Sequence, residues 1–307
     1  MPAVSSIPRM VALLGAVACL AATPALADAA TPAGPWPPGT PVVRVAGPHA
    51  LIDLFGKQEF TLAATAASGL APRLFVERVP PKLAALPVPD KTSLFIRVLL
   101  PNLLHVNTQV EAVRKRLQSI AALVAKDGTA SDADAAWLAG VAEAHGVAAG
   151  PGSAAALLGR IDTVPVSMGL AQAIDESGWG TSALARADNA LFGEHGPAPG
   201  TGAYVTAAGN NVKVARFSDV FRACAGYLHT LNTAHAFAAF RALRARARAA
   251  GKTLDGNAAV ATLVHYSTRG ERYVADLRAL IDRHRLDRFD PVRLDAASPA
   301  TLILFDE

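Results

Sequence analysis

A chain of 307 residues, 51% hydrophobic and 18% charged, carries enough apolar material for one medium domain or one and a half. Only 6% is aromatic and alanine is abundant, which argues for tightly packed helices and against an all-β fold. A net charge of +4 suits an anionic polymer or surface as partner and is too small to argue for nucleic acid.

At the N-terminus Arg9 precedes an apolar run from Met10 to Ala22, and Ala25-Leu-Ala27 offers a small-x-small cleavage site before Asp28. This is the layout of an export signal over residues 1–27. The run is too short to span a bilayer and no later stretch reaches that length without charges. The mature chain is therefore expected to be exported, periplasmic and without a transmembrane segment. Ala16-Val-Ala-Cys19 is a poor version of a lipoprotein site, which leaves anchoring through Cys19 as a minor alternative. Cleavage of the signal leaves Cys224 alone, so no internal disulfide is expected. Its helical spacing from Phe221 and Leu228 reads as that of a small buried hydrophobe.

Residues 28–74 read as a Pro/Ala/Gly-rich leader and linker, with Pro35-Trp-Pro-Pro-Gly39 and one possible strand at Val42-Val-Arg-Val45. The compact domain is expected over 75–290. A long helix runs from Lys91 to about Lys126, with an apolar stripe of Leu99, Leu103, Val106, Val110, Val113 and Leu117 and a bend at Pro101. Asp132 to His145 is a second helix with Trp137, Leu138 and Val141 inward. A short one follows at Ala155 to Leu158. Thr163 is the expected cap of a central helix with Pro165 in its first turn, and Thr181 or Ser182 caps Ala183 to Ala187. Ala203-Tyr-Val-Thr206 and Val212-Lys-Val214 read as a hairpin turning at Gly209-Asn-Asn211. Ser218 to Leu231, Ala236 to Ala250, Asn257 to His265 and Glu271 to His284 are helical. Residues 291–307 form a tail whose apolar Leu302-Ile-Leu-Phe305 is a candidate docked strand.

The most informative stretch is Leu170-Ala-Gln-Ala-Ile-Asp-Glu-Ser-Gly-Trp-Gly-Thr181. It reads as a helix end, a glycine turn carrying Trp179, and the start of another helix. Helical spacing puts Glu176 on one face with Gly169, Gln172 and Ala173, a face of little bulk that something other than core could cover. A carboxylate in a last turn faces the negative end of the helix dipole. Partial burial would raise its pKa further, the requirement for a proton donor at neutral pH. Asp175 points to another face and reads as the partner of a base. Arg241, Arg244 and Arg248 share a helix face that reads as solvated. The histidines show no paired ligand spacing and HExxH is absent, so neither a metal site nor a cofactor is expected.

Ala171 to Ser182, followed by Ala185-Arg-Ala-Asp-Asn-Ala-Leu-Phe-Gly193, resembles the Bax-type bacterial glucosaminidases of glycoside hydrolase family 73. Leu158-Gly-Arg-Ile-Asp-Thr-Val-Pro165, Leu231-Asn-Thr-Ala-His235 and Tyr266-Ser-Thr-Arg-Gly-Glu-Arg-Tyr-Val274 agree with that family in the same order, as does Val79-Pro-Pro-Lys82. The resemblance implies a mainly α, lysozyme-like domain with a small β-hairpin lobe beside a cleft. It implies cleavage of the β-1,4 bond on the reducing side of N-acetylglucosamine in peptidoglycan glycan strands. Glu176 takes the general-acid position and Tyr266 lines the cleft opposite it. Gln172, Trp179, Asn189 and Phe192 would shape the substrate side.

A second carboxyl is the usual complement of a glycosidase acid. Relatives carry it on the β-lobe, where this chain offers Gly209-Asn-Asn-Val-Lys-Val214 and no carboxylate. Glu194 could supply it from a shifted loop. Alternatively the substrate's own acetamido group could act, with Asn211 orienting it or a water. A site that only binds glycan is the third account. The alternatives to hydrolysis are a lytic transglycosylase running on one glutamate and a wall-binding scaffold module.

Overall fold

The computed structural model describes residues 36–306 apart from 38, 151, 197, 200–201 and 207–211. The expected signal with Cys19, the hairpin turn and Asn211 lie outside the described residues. Strand β1 (Val42–Val45) is followed by α1 (Pro48–Lys57), α2 (Leu62–Ser68), β2 (Leu70–Ala71) and β3 (Leu74–Val76). Then come α3 (Val88–Asp127), α4 (Asp132–Ala144), α5 (Ser153–Arg160), α6 (Val166–Ser177) and α7 (Ala183–Asp188). The small lobe is the antiparallel pair β4 (Tyr204–Thr206) and β5 (Lys213–Ala215), with Val205 opposite Val214. Helices α8 (Val220–Thr233), α9 (Ala238–Ala249), α10 (Gly256–Val260) and α11 (Glu271–His284) complete the body, and β6 (Arg293–Leu294) and β7 (Thr301–Phe305) close the chain. The molecule is mainly α with a small hairpin lobe, as expected.

Helix α3 is the axis. Its 40 residues span about 60 Å at the α-helical rise. All six residues of the predicted stripe are buried, and α5, α6, α8 and β3 pack along it. The helix runs through Pro101, which is itself buried. Helix α6 lies between α3, α10, α11 and the turn at Leu286–Phe289, so its residues from Val166 to Ile174 are buried on every side. A helix enclosed all round has no polar face to keep, and its alanines and glycine allow close approach.

Thr163 does not cap α6. Pro165 takes the cap position, and the backbone N–H and hydroxyl of Ser167 donate to the carboxylate of Asp290, each at 2.8 Å. A side chain 123 positions away in sequence has replaced a local cap. Ser182 does cap α7, accepting from the Ala185 N–H. Helix α10 ends at Val260, short of the expected His265, because the chain continues in three-residue turns from Ala259 to Tyr266.

Two boundaries drawn from composition fall differently in three dimensions. The stretch 28–74 holds β1, α1, α2 and β2, and Phe75 lies inside β3. The tail supplies β7, which sits between β1 and β3 in a parallel three-stranded sheet with Val45 opposite Phe305 and Phe75 opposite Leu302. Parallel pairing needs a distant segment, so no local signal reports it.

The arginine face of α9 is solvated only at Arg248, with Arg241 half-buried and Arg244 buried. Arg244 is 4% exposed and donates to the carbonyls of Arg160, Asp162 and Thr163 and to Asn232 Oδ1, at 2.7–3.0 Å. Arg248 and Arg114 pair with the Asp162 carboxylate, and Arg241 donates to the carbonyls of Leu231 and Ala234. Residues 161–165, between α5 and α6, have no ladder of their own, and the guanidinium forks serve carbonyls there and at the end of α5.

Candidate active site

Three segments converge at the C-terminal end of α6. The first is the turn after Ser177, in which Gly178, Trp179 and Gly180 have φ of 58°, 62° and 71°. A Cβ on Gly180 would lie 2.7 Å from the Phe95 ring, so this glycine is required by space as well as by φ. The Ser177 hydroxyl accepts the Gly180 N–H at 2.8 Å and closes the turn. Trp179 is half-buried, edge-on to His284 and Phe95 with ring centroids 4.8 and 6.1 Å away.

The second segment is Asn189 to Glu194. Asn189 ends α7 at φ 47°, donates to the Phe217 carbonyl at 3.1 Å and accepts from the Val79 N–H at 3.3 Å. Its polar atoms are thus spent on backbone. Phe192 is buried and stacked on Tyr227 at 4.2 Å. Gly193 has φ 65°, and a Cβ there would lie 2.7 Å from Glu176 Oε2. The Glu176 carboxyl therefore rests directly on the Gly193 backbone.

The third segment runs from Tyr266 into α11. The Tyr266 hydroxyl donates to the Phe192 carbonyl at 2.7 Å, and its ring stacks on Tyr273 at 5.6 Å. The tyrosine hydroxyl that reaches Glu176 is that of Tyr273. Arg269 pairs with Asp175 and, at 3.1 Å, with Asp276, and lies over the Tyr273 ring. Asp175 has the basic partner expected for it.

Burial pushes the Glu176 carboxyl up to about 7, helped by the neighbouring Asp175 charge and opposed by the Tyr273 hydrogen bond and Arg269. Glu194 is also raised to about 7, again by burial, with the Thr230 hydroxyl holding Oε1 at 2.8 Å in opposition. Glu194 Oε2 is buried without a hydrogen-bond partner. Burial lifts the Tyr266 phenol well above the usual range, helped by Tyr273 and by the charges of Glu176 and Glu194. Glu176, Glu194 and Tyr266, read from sequence as catalytic, thus share one neighbourhood.

The face of α6 that carries little bulk is not open. A Cβ on Gly169 would meet Leu103 at 3.2 Å and Tyr227 at 3.5 Å, and Gln172 is fully buried between two tyrosines. Gln172 and Phe192 therefore support the site from within and do not line a substrate surface. Asp219 caps α8 and pairs with Arg222, which leaves it structural.

Tyr273, Tyr227, Thr230 and Arg269 were not singled out by sequence reasoning. A signal for Tyr227 exists: it lies three residues after Cys224 in a buried stripe, and a buried phenol needs a partner. Among the described residues no group of three His, Cys, Asp or Glu side chains could hold a metal ion, and no helix is long and apolar enough to cross a membrane.

Residues 152–286, which contain this whole constellation, match the family described as mannosyl-glycoprotein endo-beta-N-acetylglucosaminidase. Over 131 residues the chain is 39% identical to Protein bax of Escherichia coli (strain K12), covering 42% of this chain and 47% of that protein. The chain thus spans about half the length of that curated relative. Among solved structures, the catalytic domain of the autolysin Auto from Listeria monocytogenes is similar at a TM-score of 0.34 and 17% identity, over 57% of this chain and 88% of that one.

Proposed function

We propose that this protein is an exported peptidoglycan hydrolase that cleaves the β-1,4 bond on the reducing side of N-acetylglucosamine. The observation that carries the reading is the Glu176 carboxyl: held at the end of a buried helix, raised to about 7 by burial, and contacted by a hydroxyl and a glycine backbone. Such a group is protonated for part of its time at neutral pH and can give its proton to the glycosidic oxygen as the C1–O bond breaks. Water then adds to C1, and the proton it releases restores the acid.

Glu194 is the second carboxyl in this reading, because its Oε2 is buried and left without a partner. A buried, unpaired carboxylate oxygen is costly and is retained where a reaction uses it. Export rests on residues 1–27, and subcellular fractionation tests it.

Mature protein and the Glu176→Gln variant are incubated with purified sacculi and the released ends analysed by mass spectrometry. Reducing N-acetylglucosamine ends from the wild type and none from the variant are expected. Anhydro-muramic ends would make the enzyme a lytic transglycosylase, and retention on sacculi without products would make it a binding module. Full activity in Glu194→Gln would transfer the second role to the substrate's acetamido group.

A further inference from the structure

Three buried side chains lead to Glu176. The Tyr227 hydroxyl donates to Gln172 Oε1 at 2.6 Å, Gln172 Nε2 donates to the Tyr273 oxygen at 3.0 Å, and the Tyr273 hydroxyl reaches Glu176. Gln172, Tyr227 and Tyr273 are each 0% exposed. An amide oxygen only accepts and an amide NH2 only donates, so Gln172 polarises the row in one sense. With its oxygen already accepting from Gln172, Tyr273 has its own proton to offer Glu176.

The row is held rigid by its surroundings. Phe192 stacks on Tyr227, Tyr266 stacks on Tyr273, and the Arg269 guanidinium lies 4.7 Å over the Tyr273 ring. A polar row through a helical core is justified only if each member is satisfied, since an apolar core is otherwise cheaper. Here each of the three has a hydrogen-bond partner, and the row ends beside the acid, whose carboxyl and the Tyr273 phenol act on each other.

We propose that Tyr227, Gln172 and Tyr273 form a one-way hydrogen-bond chain that positions the Glu176 carboxyl and favours the carboxylate left after it gives up its proton. This rests on the reading of Glu176 as the general acid. The three are positioning residues and touch no substrate. The titratable and charged groups facing Glu176 are Asp175 on α6, Tyr273 on α11, and Tyr266 and Arg269 from the segment leading into α11. The loop before Glu194 presents Gly193, which has no charge. Arg269 also favours the anion, but Asp175 and Asp276 already share its charge. The chain is therefore the part of the environment given over to Glu176 alone.

Tyr273→Phe keeps the stacked ring and removes the last donor; Tyr227→Phe removes the first. For Tyr273→Phe, kcat falls roughly ten- to a hundredfold with KM near the wild-type value, as for loss of a hydrogen bond to a charged group. The alkaline limb of kcat/KM moves up by about one pH unit, and Tyr227→Phe shifts both in the same direction by less. The Glu176 carboxyl is also titrated by carbon-13 NMR, assigned by difference against Glu176→Gln, in each folded variant. This measurement needs no substrate. An unchanged Glu176 midpoint in Tyr273→Phe overturns the chain, as does a loss confined to KM. Activity surviving in Glu176→Gln would instead remove the functional reading, and the titration would still decide the chain.

Discussion

A carboxyl that serves as proton donor near neutral pH must be uncomfortable as an anion without being stranded as one. At Glu176 burial and Asp175 supply the discomfort, while Tyr273 and Arg269 limit it. Replacing Glu176 by Gln removes the proton and is expected to cost 10²–10⁴-fold in turnover, roughly the usual worth of a general acid, measured on sacculi. With Glu176 as the proposed general acid the protonated form is the active one, so kcat/KM should fall as pH rises through about 7. The same shift acts on stability with a definite sign. Glu194 has a folded value of about 7 against an ordinary 4.5, so its contribution to stability is fully present below 4.5 and is lost as pH rises through 7. Glu194→Gln should therefore raise the unfolding free energy at pH 8 by about 1–3 kcal/mol and leave it nearly unchanged at pH 4.5, read by urea denaturation. A variant both stabler at pH 8 and inactive would show that Glu194 is maintained for chemistry.

Glycines at single turns set the position of these groups. At Gly193 a Cβ would collide with the Glu176 carboxyl at 2.7 Å and the φ of 65° disfavours any L side chain. Gly193→Ala should lower kcat by roughly a hundredfold through displacement of Glu176, a shift visible in the variant's crystal structure. The 158–165 lead-in and Asn232 of the Leu231–His235 motif are joined through Arg244. Arg244→Met would leave three carbonyls and Asn232 Oδ1 without their donor, for an expected loss of about 3 kcal/mol in chemical denaturation. The motifs that resemble the glucosaminidases thus divide into two kinds. Those holding Glu176, Gly193 and Tyr266 meet at the site, and those around Asp162 and Asn232 hold the central helix in place.

Around the helical body the two ends of the chain build a sheet together, with β7 between β1 and β3. Ile303 and Phe305 are 0% and 1% exposed, and each contributes roughly 1.5–3 kcal/mol by burial. Deleting residues 299–307 should therefore cost about 3–6 kcal/mol, seen as a large drop in Tm, although the site lies on other elements. The N-terminal strands reach the site side through contiguous packing: Phe75 and Val76 lie on α3, and the Val79 N–H binds Asn189 at the start of the Asn189–Glu194 segment.

Periodicity alone determined several helices of the body, since an apolar stripe at 3.6-residue spacing survives whatever it packs against: the α3 stripe, α4 and α11 are where their patterns put them. The Glu-Ser-Gly-Trp-Gly turn and the Asn-Ala-Leu-Phe-Gly stretch pointed to Glu176 through their resemblance to the glucosaminidases, while their glycines marked the turns. What only the tertiary structure decided are the pairings between distant segments. Asp290 caps α6, β7 joins β1 to β3, and of the α9 arginines Arg241 and Arg244 turn to backbone carbonyls while Arg248 pairs with the Asp162 carboxylate. Of the two stacked tyrosines, Tyr266 spends its hydroxyl on the Phe192 carbonyl and Tyr273 turns its phenol to Gln172 and the acid. A sequence records which groups can bond; which partner each one finds depends on where the chain brings them, and that is set by packing.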